Sequence, residues 1–155
     1  MTEITRGRQI LRVQFLGQQI VLMVQFLLGM AVNLFVTITR NHPGANPHEY
    51  FGGVVQSVTW ATLHGPVLLI LHTILGLLLV LNAIGLLIRA IQTRTKDLIT
   101  VSAVGALSVL AAGFNGGSFL NYNEDVSSML MAGFSALAVV TYAVGAYLTG
   151  RPSSA

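Results

Sequence analysis

Apolar residues fall along this chain in four long runs separated by short polar clusters, not in the alternation of half-buried strands. Each run can cross a bilayer, for which about 20 residues suffice. They predict transmembrane helices at about residues 13–39, 59–89, 98–119 and 126–149. The connections are short and no internal repeat is visible, so residues 1–155 are read as a single domain. The expected fold is an all-α integral membrane protein, an antiparallel four-helix bundle with every backbone group satisfied inside its own helix.

The second run is too long for a straight perpendicular span if it starts at Thr59, and Pro66 lacks the donor that a helix interior needs. Starting at Pro66 leaves a normal bilayer length to Ile88. Residues 53–63 then form a short helix or re-entrant piece, with Trp60 at headgroup level. His64 lies near the outer interface and His72 within the outer half of the membrane.

Composition strengthens the membrane reading: 54% of residues are hydrophobic and 8% charged, with a mean hydropathy of +0.74. Soluble domains carry roughly 25% charged residues, so most of this surface must face lipid. Charge is sorted as well. Arg6, Arg8 and Arg12 precede the first span, Arg89, Arg94 and Lys96 follow the second, and Arg151 follows the fourth, with Arg40 alone on the other side. The positive-inside rule then places both termini in the cytoplasm, the N-terminal run being a retained first helix in a bacterial-type plasma membrane. This sorting accounts for the net charge of +3 without a nucleic-acid partner. Cysteine is absent, which excludes disulfides and thiolate metal sites.

Ionisable groups at membrane depth are functional candidates by default, and between Trp60 and Arg89 the only two are His64 and His72. They are about 80° apart around a helix and about 12 Å apart along it, with Gly65 and Gly76 within about 40° of His72. A glycine one turn from a histidine admits either a flat ligand or a neighbouring helix. Met30 in the first span and Met129 and Met131 in the fourth lie at compatible depths for a second axial ligand, or are packing material. Asn33, His64, Asn115 and Asn121 form an outer polar layer that predicts either a shared outer pocket or separate interhelical hydrogen bonds. On the cytoplasmic half, Gln14, Gln18 and Gln25 make a stripe that should face protein, with Asn82 as a candidate partner. Pairs such as Ala112 with Gly116, Gly113 with Gly117, Ala132 with Ala136 and Ala146 with Gly150 predict close helix contact.

The loop with His42, His48 and Glu49 offers imidazole and carboxylate ligands suited to Zn or Cu, and equally reads as turn chemistry. No phosphate loop, nucleophile elbow or carboxylate pair points to an enzyme. The span bearing His64 and His72 resembles a helix of small b-type membrane cytochromes. That resemblance implies haem b, used for electron transfer or gas sensing, with His72 as the first axial candidate. Such proteins usually place histidines on two or more helices, whereas the first, third and fourth spans here have none. The segment Gly113-Phe114-Asn115-Gly116-Gly117-Ser118-Phe119 resembles the glycine-rich third helix of small fluoride channels over those residues alone. The alternatives to a haem protein are an accessory or assembly subunit of a larger membrane complex and a small oligomeric channel or transporter. The expected partners are the lipid bilayer and either further copies of the chain or a larger complex.

Overall fold

The computed structural model describes residues 3–151, with side chains from residue 7 onward; the side chain of Arg6 lies outside the described residues. Five helices follow in order: α1 (Glu3–Phe35), α2 (Tyr50–Leu63), α3 (Val67–Gln92), α4 (Lys96–Tyr122) and α5 (Asp125–Gly150). All but α2 are long and apolar enough to cross a membrane. The fold is the all-α, four-span membrane class that the sequence predicts.

Local chemistry explains the boundaries. α1 extends to Glu3 and stops at Phe35, earlier than the apolar run does, because Val36, Thr37, Ile38 and Thr39 form a β-branched run that disfavours helix. Glu49 caps α2, its carboxylate accepting from the N–H groups of Phe51 (2.8 Å) and Gly52. The break between α2 and α3 falls at Pro66, whose ring pushes Gly65 out of helical conformation. Pro66 itself is the N-cap, so the span proper starts at Val67. Asn123 ends α4 in the left-handed region (φ 54°), a conformation that asparagine tolerates better than most residues.

The four spans form a closed ring in which α1 packs on α3 and α5, and α4 packs on the same two helices. Diagonal pairs do not touch among the described residues. Short connections between consecutive spans impose this up-down arrangement, and it puts both ends of the described chain on one side. At that end Phe15 fills the notch left by Gly145 on α5, its ring carbons 2.9–3.0 Å from where a Cβ would sit. Of the helices, α2 lies across α3 and α4 alone among the described residues.

Two apolar clusters make the core. The larger, at the basic end, includes Leu11, Phe15, Leu22, Leu79, Leu86, Val109 and Tyr142; the smaller, at the loop end, holds Val32, Ala61, Leu69 and Leu120. The level between them, occupied by residues 25–29 of α1 and 72–76 of α3, belongs to neither cluster. This waist and a polar node within the larger cluster are where the interior chemistry lies.

Candidate functional site

At the waist, His72 points from α3 toward α1. Gly29 leaves the room for it: a Cβ there would sit 2.9 Å from the imidazole Cε1. Gln25, one turn along α1, donates through Nε2 to the His72 carbonyl (3.0 Å), and the same nitrogen lies 3.4 Å from His72 Nε2. Gly76 gives the Gln25 amide its space, 3.2 Å from a would-be Cβ. Two buried atoms here have no partner, His72 Nδ1 and Gln25 Oε1. The histidine is therefore locked at one edge and unanswered at the other.

About two turns toward the basic end, Gln18 is 1% exposed and spans the contact of α1 with α3. Its Nε2 donates to the Leu79 carbonyl (3.1 Å) and its Oε1 accepts from Asn82 Nδ2. Tyr142 from α5 is wholly buried, and its ring tip lies where a Cβ on Gly105 of α4 would be, with Cζ at 2.6 Å. Its hydroxyl is buried without a hydrogen-bond partner. Residues from all four spans meet at this level. Ser102 Oγ and Gln14 Oε1 are further buried atoms without partners.

The remaining sequence candidates scatter. His64 is exposed and ends α2, its N–H donating to the Trp60 carbonyl (2.8 Å). Gly65 belongs to that turn, packed on the Ala61 carbonyl and Leu69. Met30 is 49% exposed, while Met131 rests its sulfur 3.1 Å from the Cβ position of Gly116. Neither meets His72. Asn33 is exposed and Asn115 donates to the carbonyl of Ala111 on its own helix (2.8 Å). Asn121, by contrast, is buried under the loop end, 2.8 Å from the N–H of Asn46 through its own carbonyl and 2.7 Å from Ser57 Oγ through its amide. With the amide nitrogen facing inward it donates to the carbonyls of Gly44 and Gly53, each 3.1 Å away. No hydrogen bond joins Asn33, His64, Asn115 and Asn121 to one another, so they do not form one hydrogen-bonded network. Asn115 bonds back to its own helix, and Asn33 is exposed.

The loop residues do not assemble a metal site either. His42 is buried and stacked on Trp60, with ring centroids 4.3 Å apart and 14° between planes, and His48 is exposed. Glu49 spends its carboxylate on the α2 cap, and no group of three potential ligands occurs among the described residues. A small cavity of about 10 Å³ lies beneath this loop between Ile38, His42, Leu120 and Asn121, which is room for about one water.

Sequence reasoning missed Gly29, Tyr142 and Gly105. Gly29 carried a usable signal, since it lies one turn from Gln25 on the face the glutamines define. No family model, curated protein or solved structure matches this chain.

Haem b can be tested against this geometry. A porphyrin needs an open face at its axial histidine and a second ligand or an open site opposite. The His72 ring is instead wedged against the α1 backbone at Gly29, and Gln25 fills the space that Gly76 leaves. As packed, the waist leaves no open face at His72 for a porphyrin, and only an opened waist would admit one.

Proposed function

We propose that this protein is an accessory subunit of a membrane assembly, a compact helical element without chemistry of its own. One observation carries the reading: the polar side chains that bond across the bundle do so in separate contacts that hold one helix to another. Gln18 ties α1 to α3, Gln25 repeats that tie at the waist, Tyr50 joins α2 to Ser118 of α4 (2.6 Å), and Asn121 secures Ser57. Interhelical bonds of this kind fix register and rotation. Extraction in mild detergent followed by native sizing tests the reading. A discrete particle containing this chain and a second membrane protein in fixed ratio is expected; a particle holding only this chain would overturn it.

A second reading is favoured by the unpartnered Nδ1 of His72 beside Gly29. In it the waist opens and His72 takes a ligand, haem b being the candidate. Expression with ample haem supply and a visible spectrum decides: a Soret band lost in His72→Ala supports it, and a colourless protein removes it.

A further inference from the structure

The basic end of the bundle carries positive charge that no carboxylate answers. Arg12, Arg89, Arg94, Lys96 and Arg151 make no ion pair with an acidic side chain among the described residues. Two of these cations meet at the last turn of α5. The Arg12 guanidinium lies over Gly150, its Cζ 3.2 Å and Nε 3.3 Å from where a Cβ would sit, so the missing side chain is what admits it. Arg151 folds back over Tyr147, with Cζ 4.6 Å from the ring centroid, and donates through Nη2 to the phenol oxygen at 3.1 Å.

Tyr147 is 63% exposed, and tyrosines at such positions settle at the headgroup level. Around the helix axis Gly150 and Arg151 flank it, about 60° to one side and about 40° to the other. Both guanidiniums therefore border one outward face. Each is a planar fork of five donors; Arg12 uses none in a hydrogen bond among the described residues, and Arg151 uses one. Capping of the α5 carbonyls would explain arginines at a helix C-terminus, but neither donates to one. One turn deeper, Leu16 on α1 and Val144 on α5 are each 43% exposed on adjoining helices, an apolar flank below the charged rim.

We infer that Arg12, Arg151 and Tyr147 form a site for the phosphate of an anionic phospholipid in the leaflet at the basic end, its acyl chain lying along Leu16 and Val144. Phosphodiester oxygens match the guanidinium forks, and the low-dielectric rim strengthens the contact.

Purified full-length protein titrated with phosphatidylglycerol, phosphatidylcholine or inorganic phosphate, with bound lipid counted by native mass spectrometry, tests this. Phosphatidylglycerol should be retained about tenfold over phosphatidylcholine, and raised salt should shrink the preference. The double change Arg12→Lys with Arg151→Lys keeps the charge that orients the protein but removes both forks, and should abolish most of the preference. Equal retention of the two lipids overturns the site, as does a preference that survives the double change, which a general positive field would give. Inorganic phosphate displacing phosphatidylglycerol at equal concentration overturns the lipid assignment. Should the double variant fail to accumulate, Tyr147→Leu at its exposed position decides by the same count: a reduced preference upholds the site, an unchanged one removes it.

Discussion

The waist and the inner node use the same kinds of residue, an amide from α1 facing α3, with opposite results. At the node, both ends of the Gln18 amide are engaged, by the Leu79 carbonyl and by Asn82, and apolar residues surround the set. At the waist, Gln25 donates but its oxygen accepts nothing, and His72 keeps an idle nitrogen between two apolar clusters. An amide answered at both ends, as Gln18 is, holds its two helices in one register, whereas a half-answered one contributes little and leaves a place where the packing can yield. The difference teaches that polarity at membrane depth is not itself a sign of a site; the state of its partners is.

Four substitutions break or sharpen that contrast. The largest effect is expected at Gly105→Val, where a side chain would enter the Tyr142 ring with both helices fixed; a loss of about 3 kcal/mol in detergent unfolding checks it, and a tolerated valine would mean the node is loose. Gln18→Leu should come next, lowering stability by about 1.5 kcal/mol because Asn82 loses its acceptor; an unchanged unfolding midpoint would erase the distinction between the layers. Gly29→Ala crowds the imidazole edge whose nitrogen has no partner, so a loss of about 1 kcal/mol is expected by the same measurement. The smallest change belongs to His72→Leu, within about 0.5 kcal/mol of the parent. A loss as large as that of Gln18→Leu would show the waist to be as firmly answered as the node.

The spans were legible because length and apolar content alone determine which segments cross a bilayer, and the break at Pro66 followed from ring geometry. So was the pairing of the glutamine stripe with Asn82, since Gln18 could not face lipid without leaving its amide unanswered. Facing between helices was another matter. A helical wheel relates residues on one helix and leaves free how that helix is rotated against its neighbours, which is why Asn33 and Asn115 were grouped with Asn121 and lie apart from it. The glycines that matter to the site, Gly29 and Gly105, were invisible for the same reason: each is defined by what stands opposite, His72 and Tyr142.

The seat of α2 constrains the order in which the molecule can be finished. α2 leaves the ribosome before α3 and α4, yet those two are the only helices it packs on among the described residues, and the side chain that gathers Gly44, Gly53 and Ser57 belongs to Asn121, in the last turn of α4. Until that turn has been threaded, the segment has only the preceding loop of its own protein to rest on, through the stack of His42 on Trp60, and it presents an apolar stripe of Phe51, Val55 and Leu63, each about two-thirds exposed even in the finished fold. Such a stripe lets a short helix wait on the membrane surface. Assembly of the loop end is thus a latch closed from downstream, and synthesis halted before residue 121 leaves it open.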